Sequence, residues 1–184
     1  MNRVNASGGG QSTKVSKRNR LACLAAGLAG SVALAADDAT APPIKIAVFE
    51  FELEDASPAA ALLNKSTTAA ASLDRVSSEA RRELTRSKRY SVVDASKVDA
   101  SPAAVKSLRN CDGCEAAIAL QLGAQQSLFG LVRRATQTDY YLVIQIRDTH
   151  TGKLIDQQEA NFAGSEEGWP SGVRMLIRHQ ILGE

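Results

Sequence analysis

Between Gln125 and Ala163 the sequence reads as three strands in quick succession, and this block restricts the fold more than any other part of the chain. The middle strand, Tyr140 to Asp148, places Leu142, Ile144 and Ile146 on one face, and that period of two is the mark of a half-buried strand. The flanking strands run from Gln125 to Ala135 and from Lys153 to Ala163. The link between the last two is T-H-T-G-K, with Gly152 where a tight hairpin needs a positive φ. Such a meander buries one apolar face and therefore needs helices to cover it.

The covering helices are legible elsewhere. In residues 71–88, Leu73, Val76, Ala80 and Leu84 recur at helical spacing while Arg81, Arg82 and Arg86 fall outside that stripe, so an amphipathic helix is expected. The closing stretch W-P-S-G-V-R-M-L-I-R-H-Q-I-L presents Val173, Leu176, Ile177 and Ile181 on one side. Two shorter helices are expected over 102–109, with Pro102 in the first turn, and over 115–122, with Gly123 as carboxy-terminal cap. Ile44 to Leu53 reads as a strand that starts apolar on both faces. It then alternates, with Phe49, Phe51 and Leu53 on one side and Glu50, Glu52 and Glu54 on the other. R-Y-S-V-V-D adds a short strand. The expected fold is thus α/β (α+β), a mixed sheet of about five strands covered by helices in the order β-α-β-α-α-β-β-β-α.

The amino-terminal end has a different character. Residues 1–35 carry five basic residues and no acidic one, and the apolar run Leu21 to Ala36 ends in the small-x-small form Ala33-Leu34-Ala35, which is the pattern of a cleavable signal peptide. The competing reading is an uncleaved anchor. Arg20 stands three positions before Cys23, where a lipobox requires an aliphatic residue, so lipid attachment is not expected. The expected organisation is a signal peptide over 1–35, an extended lead-in over 36–43 and one domain over 44–184, in the periplasm.

Charge follows the same division. The chain has 22 basic and 20 acidic residues. Without the first 35 residues, 17 basic stand against 20 acidic, a net charge near −3. The concentrated positive surface that nucleic acid or anionic lipid requires is missing, so neither is an expected partner, and no stable membrane span is expected after cleavage.

Two cysteines, Cys111 and Cys114, remain in the domain, within N-C-D-G-C-E. An oxidising compartment favours a structural disulfide here, with thiol exchange and a metal site as the competing readings. Asp112 and Glu115 set negative charge beside both sulfurs, which opposes thiolate formation, and their spacing is that of a capping box at the start of the following helix. A metal site would need His150 or His179, which stand at no recognisable ligand spacing. No metal or cofactor is expected.

Other candidates are weaker. Glu50, Glu52 and Glu54 on one strand face could bind a cation or exchange protons, or be a solvated strand end. Arg133 and Arg134 fall on opposite faces of their strand and are expected to be exposed or ion-paired. Trp169 before Pro170 reads as a helix start packed on the sheet, with a partner anchor as the alternative. Leu62 and Leu63, in a long stretch without periodicity, are candidates for partner contact, as is the Lys153 to Ala163 segment as an edge strand. No Ser-His-Asp set, phosphate loop or dinucleotide fingerprint is present.

Several phrases carry a resemblance: K-I-A-V-F-E-F, R-Y-S-V-V-D, L-G-A-Q-Q-S-L-F-G-L-V and D-T-H-T-G-K-L. Their order resembles the TolB amino-terminal domain and the CsgG-like domain of curli export. With a C-x-x-C pair ahead of L-G-A, the chain looks more similar still to an uncharacterised family of secreted proteobacterial proteins. The resemblance spans residues 44–182 and implies architecture; it brings no catalytic residues, and pore formation is not implied. The functional expectation is a non-catalytic periplasmic protein that binds an envelope or periplasmic partner or assists assembly of an envelope system. The alternative is a thiol-active or small-ligand-binding protein that uses the Cys111/Cys114 loop.

Overall fold

The computed structural model describes residues 41–57, 67–95 and 107–184. Its elements are β1 (Ile44–Val48), β2 (Glu52–Asp55), α1 (Thr67–Arg86), β3 (Tyr90–Val93), α2 (Cys114–Gln121), β4 (Gln126–Arg134), β5 (Asp139–Asp148), β6 (Leu154–Ala163) and α3 (Trp169–Leu176). The last helix runs on as a π-helical turn, Ile177–Leu182. The signal-peptide segment, most of the lead-in, Leu62 and Leu63, and most of the helix expected over 102–109 lie outside the described residues; of that helix, Leu108–Asn110 form a single 3-10 turn.

The six strands form one mixed sheet in the order β3-β1-β4-β5-β6, with β2 also paired to β4. β1 lies parallel to β3 and β4, and β2 parallel to β4. β4, β5 and β6 form the antiparallel meander that the alternating pattern predicts. One face buries Ile46, Val48, Leu128, Val132, Leu142, Ile144 and Ile146 beneath Val76, Ala80 and Leu84 of α1 and Val173, Leu176 and Ile177 of the closing helix. The opposite face has a smaller cluster around Ala47, Phe49, Phe129 and Ala119, where α2 lies over the sheet.

The expected first strand is two strands. Val48 pairs with Leu128, but Glu52 pairs with Leu131, so four steps on one strand match three on the other. One extra residue therefore bulges between β1 and β2. The bulge reverses the faces beyond it: Phe49 packs in the α2-side cluster, whereas Phe51 packs in the α1-side core with Leu53 against it. Phe51, released from the ladder, donates its backbone N–H to Ser77 Oγ of α1 at 2.9 Å, and its ring lies over Gly130 of β4. The bulge is thus fixed on both sides, by a hydroxyl from above and a missing side chain below.

Trp169 is fully buried. Its ring meets Tyr140 edge-on at 5.1 Å between centroids, and Tyr140 stacks on Phe162 at 5.8 Å. The packed helix start is what the structure contains: no part of the Trp169 indole meets solvent, which leaves it no exposed surface as a partner anchor in the single chain. Between α1 and the closing helix runs a ladder of ion pairs, Glu79 with Arg174 at 2.6 Å and Glu83 with Arg178 at 2.7 Å. Both carboxylates are buried and also meet Arg82 and Arg86 on their own helix. Burial, which alone would raise the Glu79 pKa, is outweighed by hydrogen bonds from Arg174 and Arg82, so the group sits below the ordinary carboxylate range.

Candidate functional site

The helices cover the α1 side of the sheet more fully than the other. On the α2 side, Arg133 of β4 and Tyr141, Val143 and Gln145 of β5 lie outside the cluster under α2 among the described residues, and they remain half-buried or exposed. There, a cleft of about 260 Å³ is lined by Leu108, Phe129, Leu131 and Val143 with Arg109, Arg133, Gln145 and Arg147 at its polar margin. The cysteine loop closes one end, through Asp112, Gly113 and Glu115.

That loop has a local cause. Asp112 (φ 40°) and Gly113 (φ 95°) are both left-handed, a conformation that Asp and Gly tolerate better than most residues. The turn brings the Cys111 and Cys114 Cα atoms to 5.5 Å, and the two are joined as a disulfide. The expected capping box does not form. Gly113 is the N-cap of α2 and no side chain caps it, because the left-handed turn moves Asp112 out of reach.

Arg147 organises the loop instead. Its guanidinium contacts Glu115 at 3.0 Å, placed as an ion pair without hydrogen-bond alignment, donates to Asp112 Oδ1 at 3.4 Å and reaches the Gly152 carbonyl at 3.2 Å. One side chain on β5 therefore ties together α2, the cysteine turn and the β5–β6 hairpin. It also explains how Glu115, 2% exposed, stays buried beside the sulfurs. The acidic surroundings read from the sequence are thus partly neutralised. Nothing local marks Arg147, yet the alternation of β5 places it on the α2 side, away from Leu142, Ile144 and Ile146.

The bulge moves Glu50 to the face opposite Glu52 and Glu54, which stay together on the α2 side. Glu50 points to the α1 side and pairs with Arg81 at 2.5 Å. Glu52 accepts hydrogen bonds from Ser107 Oγ (2.8 Å) and the Leu108 N–H (2.5 Å), pinning the 3-10 turn at the cleft. Glu54 pairs with Arg133 at 2.7 Å. Each carboxylate has its own cation or donors, so an acid-base or cation-binding face over 50–54 is not formed. Arg133 and Arg134 do fall on opposite faces and are ion-paired. Arg134 is held between Asp55 and Glu166 with its guanidinium 5.5 Å from the Tyr140 ring centre.

Among the described residues one group of three could hold a metal ion: Cys111, Cys114 and Glu115, with ligand atoms within 4.8 Å of one another. As arranged, the sulfurs are bonded to each other and the carboxylate faces Arg147. His150 sits in the hairpin turn near Thr149 Oγ1, and His179 contacts the Glu184 carbonyl at 2.7 Å; neither belongs to that group.

A family model described as "Protein of unknown function (DUF2380)" matches residues 44–181. No curated protein matches. Among solved structures, the LpoB C-terminal domain from Escherichia coli aligns over 71% of this chain and 90% of that one, at 16% identity and a TM-score of 0.47. Lipoprotein GNA1162 from Neisseria meningitidis aligns over 77% and 95%, at 14% identity and a TM-score of 0.47. TolB from Acinetobacter baumannii aligns over 77% of this chain and 29% of that chain, at 14% identity and a TM-score of 0.42. The CsgG-like resemblance rests on the quoted phrases alone.

Proposed function

The chain belongs to the DUF2380 family of proteins of unknown function, and we propose that it acts in the periplasm as a non-catalytic binding protein, engaging an envelope protein through the cleft on the α2 side of its sheet. The observation that carries this reading is the cleft beside Leu131 and Val143. It has an apolar floor and a margin of ion-paired arginines, the make-up of a small interface anchor site. Its volume of about 260 Å³ is below the roughly 300–1,000 Å³ usual for small-molecule pockets. A single partner side chain fits it better than a cofactor does.

The charged groups support the same reading. The carboxylates around the cleft are committed to structural partners, Glu52 to the 108 turn, Glu54 to Arg133 and Glu115 to Arg147. Glu52 accepts from the Ser107 hydroxyl, but among the described residues no histidine joins that pair, as the usual hydroxyl nucleophile requires. No helix of the described residues is long and apolar enough to cross a membrane. The thiol-active alternative keeps one observation in its favour, since the Cys111–Cys114 loop borders the cleft.

The test is Val143→Lys. Glu159 stands opposite on β6 and can accept the new charge, so folding is preserved while the cleft floor becomes cationic. The expected result is loss of co-purification with one discrete envelope protein at an unchanged thermal midpoint. Retained co-purification would overturn the assignment of this face. Disulfide-exchange turnover that disappears in Cys111→Ser would move the function to the loop.

A further inference from the structure

We propose that this chain pairs with a second copy of itself along β6, continuing the sheet across a two-fold axis beside Gln158. The sheet has two outer strands, β3 and β6. β3 is only four residues long, a common form of edge protection. β6 is ten residues long and contains no proline, lysine or arginine, the residues that usually block strand addition. Its protection is a register shift near its start, beside Leu154, and two acidic residues, Asp156 and Glu159.

The ladder to β5 defines which backbone groups face outward. The Gly164 N–H donates to the Thr138 carbonyl at 2.9 Å, and Tyr140, Leu142 and Ile144 stand opposite Phe162, Ala160 and Gln158 in the same frame. Hydrogen-bonded pairs recur every second residue in an antiparallel ladder, so the backbones of Gln157, Glu159 and Asn161 point away from β5. No backbone hydrogen bond to them from another element is present among the described residues. Their side chains are exposed.

Antiparallel pairing with a second copy must oppose outward residues to outward residues. An axis through Glu159 sets the two Glu159 carboxylates face to face, which is unfavourable. An axis through Gln158 gives an equally long overlap with no acid opposite an acid: Gln157 meets Glu159, and Asp156 meets Ala160 of the other copy. The chemistry matches at the centre. Gln157 Oε1 already accepts from Gln145 Nε2 at 2.9 Å, which leaves the Gln157 amide N–H groups to donate. The Glu159 carboxylate feels the charge of Arg133 but makes no hydrogen bond among the described residues, and it is the acceptor such a donor needs. By symmetry this pair forms twice. The same register covers Leu154 and Ile155, which are 45% and 51% exposed on the single chain.

Sedimentation velocity of the purified protein over a concentration series tests this pairing. The expected result is a monomer–dimer equilibrium. Gln157→Glu sets acid against acid twice and should weaken the dimer about tenfold, whereas Gln157→Lys sets base against acid twice and should tighten it about tenfold in a salt-dependent way. Exchanging the two residues, Gln157→Glu with Glu159→Gln, should restore wild-type association. Both positions are exposed, so far-ultraviolet circular dichroism should be unchanged. A wild-type protein that stays monomeric, or a dimer with equal stability in Gln157→Glu and Gln157→Lys, would overturn the proposal. A monomer that binds a lysine-bearing strand peptide along β6 would assign the edge to a basic partner strand instead, and would overturn it as well. The Gln157 variants change no residue that lines the cleft, so failure here leaves the proposed partner site untouched.

Discussion

Replacing Gly130 with alanine isolates the feature that sets the faces of the sheet. A Cβ built on Gly130 would lie 2.1 Å from Phe51 Cε1 and 2.3 Å from Cδ1 and Cζ, where carbon–carbon contact requires about 3.5–4.0 Å. The ring would have to retreat by more than an ångström, yet it is 3% exposed and enclosed by the α1-side core. Two limits bracket the cost. If the ring stays and the core strains, overpacking costs about 1–3 kcal/mol; if the ring is expelled, the loss approaches the 3–5 kcal/mol of truncating a buried Phe to Ala. The size of the overlap places the expectation near 3 kcal/mol. Urea unfolding followed by circular dichroism reads it directly, and Phe51→Ala completes a double-mutant cycle. In the Phe51→Ala background the added methyl meets empty space, so Gly130→Ala should cost less than about 1 kcal/mol there, a coupling of at least 2 kcal/mol. A single Gly130→Ala variant within about 0.5 kcal/mol of wild type, or additive costs in the cycle, would show that the ring does not hold the bulge in place.

Further outcomes follow from the ion pairs and the cysteine loop. Arg147→Met strands the buried Glu115 carboxylate and should cost about 3–5 kcal/mol in chemical denaturation, with Glu115→Gln in the same chain recovering much of it. Glu79 and Asp55 both have depressed pKa values in the folded chain. At Asp55, burial, which would raise the value, is outweighed by hydrogen bonds from Ser57 and the charge of Arg134. Each group therefore binds a proton less readily folded than unfolded. Their stabilisation is complete above the ordinary carboxylate range and is lost as pH falls through the lower folded values. The thermal midpoint should drop below about pH 4, and less steeply in Arg174→Met, which removes one of the bonds that depress Glu79. Replacing both Cys111 and Cys114 with serine releases a short closed loop and should cost about 2 kcal/mol in reversible unfolding, with binding to the partner retained.

The antiparallel half of the fold was legible because its signals are local. Leu142, Ile144 and Ile146 alternate without interruption, and Gly152 takes the positive φ that its hairpin needs. The stripe Leu73, Val76, Ala80 and Leu84 likewise predicted α1, which starts a few residues earlier than its apolar pattern. The bulge between β1 and β2 was not legible, because F-E-F-E-L alternates smoothly and no glycine or proline marks the break on that strand. Its sign is Gly130, some eighty residues away on β4, where a missing side chain makes room for Phe51. The same non-local cause parted Glu50 from Glu52 and Glu54. Arg147 illustrates the limit from the other side. Its strand and face were readable, but its union with Glu115 and the cysteine turn depends on how α2 docks, which no spacing encodes.

The measurement that bears most directly on a binding role for the cleft on the α2 side is site-specific photo-crosslinking in living cells. The probe replaces Val143 at the cleft or, as a control, Met175, which is 61% exposed on α3. The account predicts one discrete adduct with an envelope protein from position 143 and none from position 175. No adduct at 143, or equal capture from both positions, would contradict it.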